Sequence, residues 1–550
     1  MSVPRSRIIV EESPRLTTSF TAVLVALLGV AAVIYALPLA ERALWNQDEA
    51  RVALLADETL RHGLRLPVYV RGEAYLNKPP LYFWSVALVC WPLGRVSDVV
   101  APLPSLVSAL ATLLGTFAIG RMLGGSLTGL VALAVLGTSP GFYLHSHQVL
   151  PDMMLTAWLT WMLYFLIVAL RAEQHAPTIP LIGLYACLAG ALWTKGSPAL
   201  LALPTSVAAT VSMRGWRGLP ALRPLWGLGA VAVVILPWAI PYALTPGRGS
   251  GQTISVGTAL SWYLDRYERA SSVPLTGGII WFLPWAFWLV PVALWWWISP
   301  DRAAWRPLAA WTLVAVVLLA LSVQQRPRYS LTLYPVFALL VAGAATSSNA
   351  RARTLQRVHL GLVVGLAVLA LAVGVWMLSS AAQPQRVKPL ASLLDISHEG
   401  PLLVAGFLAA LAMAFRELRA GTLPGRALLY VAAGLGWVLL LEGWSYPARL
   451  NEQMPIRAFA AEARPLLSAG VPIVGYPDAN LAFDFYLQHP VIEVAHASTV
   501  LRVLEEPVSG TFLIREAAWE KFRGAAHNSW CPLARVGAGL RSYVLVGACR

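Results

Sequence analysis

Charge is scarce in this chain: Asp, Glu, Lys and Arg make up 12% of its 550 residues, while 57% are hydrophobic. A soluble domain carries about a quarter charged residues, so the shortage excludes a soluble globular protein and leaves an integral membrane one. Acids are scarcer still, 27 against 41 Lys and Arg. In a soluble chain the net charge of +14 would point to nucleic acid. Here most arginines sit in short loops between apolar runs, as cytoplasmic loops require, and no nucleic-acid partner is expected. Cysteine is nearly absent, and four of them decide little by count alone. Cys90 and Cys187 fall in apolar stretches, where burial is the default; Cys531 and Cys549 lie in a polar tail. That tail has no glycine-rich nucleotide fingerprint.

Apolar runs of roughly twenty residues recur along the chain, each able to cross a hydrocarbon core of about 30 Å as a helix. The first, Leu16–Leu39, follows Arg5, Arg7 and Arg15. Ala36–Ala40 has a faint look of a cleavage region, but the run exceeds a typical signal-peptide core and many spans follow. It reads as a retained helix with the N-terminus inside. Further spans are expected at 101–119, 127–143, 153–170, 181–193, 199–211, 225–242, 279–298, 308–323, 331–345, 360–378, 402–415 and 427–441, thirteen in all. The basic loops around Arg121, Arg171, Arg214, Arg302, Arg351 and Arg416 then all fall inside. Seven cations fall outside and need another reason: Lys78, Lys195, Arg266, Arg269, Arg326, Arg328 and Lys388.

The fold class expected is therefore a polytopic α-helical membrane protein of about thirteen transmembrane helices with a C-terminal periplasmic α/β domain. Residues 1–445 form the membrane part, with a first periplasmic loop over 40–100, and 446–550 the second unit. In the tail, helical pattern at 456–467, 481–487 and 498–504 alternates with strand pattern at 471–475, 491–494, 511–514 and 542–547, the alternation of a small mixed-sheet α/β unit. On the outer side of a bacterial inner membrane disulfides are permitted, and the pairing of Cys531 with Cys549 is left open.

The stretch from Leu39 to Trp84 concentrates acids, bases and aromatics in an otherwise apolar protein. Asn46 can cap a helix that Gly63 ends, with Glu49 closing a capping box. Glu49 is thus read as structural before catalytic. Asp48 suits the helix dipole, but the box does not need its carboxylate, so it is the better candidate for chemistry. Lys78 precedes Pro79-Pro80 and is either a snorkelling lysine or one held rigidly against an anionic head group. Tyr75, Tyr82 and Trp84 suit an interfacial belt. Asp152 opens a span, where capping is the plain reading. His145 and His147 beside it form a weak metal pattern, and surface histidines are the plainer one. Arg266 and Arg269 sit on an amphipathic stretch, and Arg326, Arg328 and Tyr329 start a span. Taken together, four outer loops bring acids, bases and tyrosines to one membrane face. An enzyme working on lipid-linked phosphates needs such a face: arginine clamps phosphate oxygens bidentately, and lysine acts as a point charge.

The Asp-Glu pair in the first outer loop, Lys-Pro before the next helix, and Arg-Pro-Arg-Tyr before a late span resemble the C-superfamily membrane glycosyltransferases, in the branch like the protein mannosyltransferases. The resemblance covers the membrane part well and the tail in kind. It implies a pentosyltransferase that moves 4-amino-4-deoxy-L-arabinose from undecaprenyl phosphate to a phosphate of lipid A, at the periplasmic face and as a monomer. It also implies that Asp48 is the essential first-loop acid, with Asp152 the second outer-loop acid and Glu49 beside them. Lys78 would hold the donor phosphate, and Tyr75, Tyr82, Arg266, Arg269, Arg328 and Tyr329 would help to bind substrate. Relatives often read Glu-Lys-Pro where this chain has Asn77-Lys78-Pro79, so a divalent cation, zinc or magnesium, is left open without ligands. Two alternatives remain. One is a polyprenyl-phosphate-mannose (or other sugar) enzyme acting on protein or glycan. The other is a transporter or flippase, which should show paired half-sequences or ionisable groups within spans; neither is evident.

Overall fold

A computed structural model describes residues 14–44, 46–171, 177–245, 273–321, 326–361, 365, 396–467, 473–477, 480–506, 510–538 and 541–549. Its first ten helices are α1 (Pro14–Ala36), α2 (Gln47–His62), α3 (Leu81–Cys90), α4 (Leu103–Gly124), α5 (Ser126–Gly137), α6 (Pro140–Ser146), α7 (Asp152–Arg171), α8 (Thr178–Lys195), α9 (Ala202–Arg214) and α10 (Pro224–Leu244). Between α2 and α3 lies a hairpin of β1 (Val68–Val70) and β2 (Glu73–Tyr75). Its two turn residues, Arg71 and Gly72, have φ of 53° and 78°, the left-handed pair that a tight hairpin turn requires.

The protein is mostly helical, and among the described residues nine helices are long and apolar enough to cross a membrane. Three of the expected spans differ. The one at 127–143 is bent by 71° between α5 and α6, where Pro140 cannot continue the ladder and the Thr138 and Ser139 hydroxyls turn back to the carbonyls of Ala134 and Leu136. Those at 199–211 and 279–298 are short, with α9 of 13 residues and Leu289–Ile298 of 10. As helices these rise about 20 and 15 Å, less than a hydrocarbon core. Most of 360–378 lies outside the described residues.

The bundle packs as membrane helices do, through small residues and self-satisfied hydroxyls. A Cβ on Gly120 of α4 would sit 2.9 Å from the Gly129 Cα of α5. Ser108, Thr112 and Thr116 each donate to the carbonyl four residues back, so α4 buries these three hydroxyls without an orphan.

A helix over Pro424–Gln453 runs through the expected boundary at 445/446 without a break. Beyond it, β3 (Ile473–Tyr476), β4 (Val491–Glu493), β5 (Thr511–Arg515), β6 (Trp530–Ala538) and β7 (Arg541–Ala548) form one sheet in the order β4-β3-β5-β7-β6. β3 pairs parallel with β4 and β5, whereas β7 is antiparallel to β5 and β6. Cys531 and Cys549 are disulfide-bonded across β6 and the end of β7. One hydrophobic core joins this sheet to the opening stretch: Leu44, Leu55, Phe83 and Val86 pack with Phe459, Phe483 and Tyr543. The C-terminal region thus rests directly on α2.

Candidate functional site

Asn46 caps α2 by accepting the Asp48 N–H at 2.9 Å, and Gly63, at φ 79°, ends it with its own N–H on the Thr59 carbonyl. Glu49 does not close a capping box. Its Oε2 accepts from Arg42 Nη2 at 2.6 Å and its Oε1 from the Val149 N–H at 2.8 Å. Arg42 and Glu49 are 3% and 0% exposed. A buried carboxylate must be paired, and a buried guanidinium outcompetes a backbone N–H that water can satisfy.

Asp48, next to it, points the other way. Its Oδ1 accepts from Arg51 at 2.6 Å, and its Oδ2 from Arg328 at 2.8 Å and Arg326 at 3.1 Å. Burial alone would raise this carboxyl; the hydrogen bond and charge of Arg328, with Lys78 and Arg51, outweigh it and bring it to about 2. Asp152, first residue of α7, is 3% exposed and receives the Lys195 ammonium on Oδ1 at 2.6 Å. Its Oδ2 lies 4.0 Å from Arg328 Nε, and both of those buried atoms lack a hydrogen-bond partner among the described residues. Arg328 therefore bridges the two acids, and Lys195 also stands 4.5 Å above the Tyr329 ring.

Lys78 completes the cluster. The turn that carries it abuts the Lys195–Gly196 turn, since a Cβ on Gly196 would lie 3.4 Å from the Pro79 ring. Tyr242 donates to the Lys78 carbonyl at 3.2 Å, while among the described residues no ion-pair or hydrogen-bond partner faces its ammonium. Burial pushes that ammonium down to about 8; Asp152 and Asp48 oppose this, and Lys195 and Arg328 add to it. Five cations (Arg51, Lys78, Lys195, Arg326, Arg328) thus surround two carboxylates. This surplus suits an anion that is not part of the protein.

The other expected residues separate. Tyr75 borders the cluster; burial raises its phenol to about 12, with Arg51, Asp48 and Arg328 close enough to act on it. Tyr82 is buried with its hydroxyl 2.6 Å from Ser105 Oγ, bracing α3 on α4. Arg266 and Arg269 lie outside the described residues. His145 and His147 are buried rather than on the surface, because α6 continues through Ser146 and folds them inward. His145 Nδ1 meets the Gly141 carbonyl at 2.6 Å, and His147 packs edge-on against Tyr143. Among the described residues no group of three or more His, Cys, Asp or Glu could hold a metal ion. Asp48 and Asp152 are already engaged by cations that zinc or magnesium would have to displace, so the described donor set does not fit a divalent cation. Arg42, Arg51 and Lys195 are partner residues absent from the site expected from sequence, and of the three Lys195 alone carried a signal there. Its signal was a cation on the wrong side for a cytoplasmic loop, as for Lys78, Arg326 and Arg328, and all four meet here.

An apolar groove of about 700 Å³ opens between α8 and α10, walled by Tyr185, Trp193, Trp226 and Val234. Leu81, three residues past Lys78, also lines it. Polar cluster and apolar groove are thus neighbours.

Residues 77–240 match the family model described as dolichyl-phosphate-mannose-protein mannosyltransferase. The chain is 27% identical over 359 residues to the undecaprenyl phosphate-alpha-4-amino-4-deoxy-L-arabinose arabinosyl transferase of Edwardsiella ictaluri, covering 61% of this chain and 62% of that one. It is 26% identical over 466 residues to the protein of the same name from Pectobacterium atrosepticum, covering 79% and 78%. The chain is a relative of these membrane glycosyltransferases. It shares the fold of the crystal structure of ArnT from Cupriavidus metallidurans bound to undecaprenyl phosphate, with a TM-score of 0.76 at 18% identity over 97% of this chain and 98% of that one. The family resemblance drawn from the motifs is borne out. Against the Edwardsiella glycosyltransferase the chain spans a little less than two thirds of the relative's length.

Proposed function

We propose that this chain transfers 4-amino-4-deoxy-L-arabinose from undecaprenyl phosphate to a phosphate of lipid A, at the periplasmic face of a bacterial inner membrane. The observation that carries the reading is the cationic surplus around Asp48 and Asp152 at the mouth of an apolar groove. A polyprenyl phosphate has both an anionic head and an apolar tail to match. The arabinosyl transferases named above supply the sugar and donor class. Mass spectrometry of lipid A from cells with and without the protein tests it; an aminoarabinose-sized increment that persists without the protein sinks the reading.

In the reaction, an oxygen of the acceptor phosphate attacks the anomeric carbon. The bond from that carbon to the donor phosphate breaks, and undecaprenyl phosphate leaves with the electron pair. The acceptor is already largely dianionic near neutral pH, its second pKa being about 6, so no strong base is needed. A carboxyl held at about 2 would be a poor base in any case. Asp48 instead faces positive charge, at the anomeric carbon in the transition state or on the sugar's ammonium. Lys78, with Arg328 and Arg326, takes the growing charge on the departing phosphate. Lys195 and Arg328 hold Asp152, and Glu49 fixes the start of α2. Arg266, Arg269, Tyr75 and Tyr329 complete the substrate-binding set of this proposal, whereas Tyr82, its hydroxyl on Ser105, braces the helices behind it.

Lys78 sets a pH limit. Its ammonium is charged below about 8 and neutral above, so kcat/KM for the donor should fall as pH rises through about 8. Lys78→Arg, which stays charged, should keep its donor affinity there. A flat profile to pH 9.5 in the unaltered enzyme would remove Lys78 from donor binding.

The proposed topology has the N-terminus inside, thirteen spans, a membrane part over 1–445 and a periplasmic α/β unit over 446–550. The chain is proposed to act as a monomer. A Cys531–Cys549 disulfide persists only in an oxidising compartment. In intact spheroplasts the tail thiols should therefore label with a membrane-impermeant maleimide only after reduction. Labelling only after lysis would reverse the orientation, and labelling of intact spheroplasts without reduction would remove the disulfide.

A further inference from the structure

The face of α2 that starts at the reacting cluster ends in a second, polar cavity of about 490 Å³, lined by α2, the 95–98 turn and the 484–490 segment of the C-terminal region. Its acids are all engaged. Asp57 meets Arg61 at 2.7 Å and Glu58 meets His62 at 3.1 Å. Asp98 accepts from Arg457 at 2.7 Å and from the Tyr486 hydroxyl at 2.8 Å, and Asp484 holds Arg71 through two bonds. The cations are not all used up. Arg95 is exposed and has no hydrogen-bond or ion-pair partner among the described residues. Arg464 gives its guanidinium to the Tyr486 carbonyl, not to an acid.

Helix geometry ties this cavity to the chemistry. At 100° per residue, Arg51, Leu54, Glu58, Arg61 and His62 fall within an arc of about 100°, and this is the side of α2 left partly or fully exposed. Arg51 holds Asp48 at 2.6 Å, while Leu54, Glu58, Arg61 and His62 line the cavity. At 1.5 Å per residue, the strip runs roughly 10–20 Å from Asp48 to the residues that line the cavity, the length of a short oligosaccharide.

We propose that this cavity is a second anion subsite, which receives a phosphate or carboxylate on the far end of a glycolipid acceptor whose near phosphate reacts at the Asp48–Lys78 cluster. The inference rests on the proposed transfer to a glycolipid phosphate. The donor is not the ligand, because its apolar tail has its own groove beside Lys78 and this cavity is polar. Arg95 is the cation free to pair, and Arg464 borders it. The subsite selects acceptors with two anionic groups over those with one, by adding one charge-assisted contact that the second group alone can make.

The test uses the full-length protein in nanodiscs and two acceptors with the same sugars and acyl chains, carrying two phosphates or one. The unaltered enzyme should show a KM about 10-fold lower for the doubly phosphorylated acceptor, as one charge-assisted contact of ordinary strength allows. Arg95→Ala should bring the KM ratio close to one and Arg95→Glu should abolish or invert it, with kcat on the doubly phosphorylated acceptor changed less than KM. Arg95→Lys should restore much of the preference. Equal KM values in the unaltered enzyme, or a ratio that survives Arg95→Glu, would overturn the subsite. Equilibrium binding of the two glycolipids without donor gives a separate readout. If neither acceptor is modified, the transfer reading falls while the binding ratio still decides the cavity. Displacement of the doubly phosphorylated glycolipid by phosphatidylglycerol vesicles as readily as by unlabelled glycolipid would make the cavity a general anion contact and also overturn the proposal.

Discussion

Asp48→Asn should insert and fold normally, yet transfer sugar about 10²–10³-fold more slowly, the range for losing one preorganised electrostatic contact. The helix start survives because the cap uses the Asn46 side chain and the backbone N–H of residue 48, which asparagine keeps. What disappears is the negative charge that Arg51, Arg326 and Arg328 surround. Its removal raises the local cationic surplus, so undecaprenyl phosphate should bind at least as tightly as before. The signature is therefore a fall in kcat with donor affinity unchanged or improved. A structural role for Asp48 would weaken both together, because Arg328 would lose its position as well. Single-turnover rates, with donor binding measured separately, distinguish the two. A variant that transfers normally would take Asp48 out of the chemistry.

Much of the fold is legible in the sequence because its signals are local. The cap at Asn46 and the stop at Gly63 depend on neighbours a few residues away, and α2 forms between them. Most of the C-terminal helices and strands follow their patterns for the same reason. β6 does not announce itself: Pro532 interrupts it beside a register shift between Pro532 and Ala534, tolerable only because β6 is the sheet's edge strand. The role of Glu49 is not legible, because one of its partners, Val149, lies 100 residues away. A capping box satisfies every local rule there, and a buried arginine overrides it. His145 and His147 mislead in a similar way, since a polar loop and the last turn of a buried helix have the same composition.

The site is legible as an anomaly rather than as a geometry. Lys78, Lys195, Arg326 and Arg328 stand out because cations are costly on the wrong face, and the structure brings these four to the same two carboxylates. Sequence does not pair Lys195 with Asp152, 43 residues apart on neighbouring helices. It also gives no hint that Arg328 bridges both acids. Charge placement shows that a site exists, and packing decides which cation serves which acid.

Glu49→Gln should destabilise the protein by about 3–5 kcal/mol, the cost of leaving a buried charge without its partner. Arg42 is 3% exposed and its Nη2 lies 2.6 Å from the Glu49 carboxylate, so a neutral amide at position 49 takes this opposite charge away from a guanidinium that water cannot reach. The variant should unfold at lower temperature, and loss of transfer should track loss of folded protein. Replacing both groups, Arg42→Leu with Glu49→Leu, removes the stranded charge and should recover most of the deficit. About 1–3 kcal/mol should remain, because the Val149 N–H that Glu49 accepted is then unpaired. Transfer by the folded double variant decides what Glu49 does. If it only fixes the start of α2, rates per folded molecule should return with stability, since Asp48 regains its place among the arginines. If its carboxylate touches the sugar, the double variant should be stable and still inactive, and Glu49 would then join Asp48 in the chemistry.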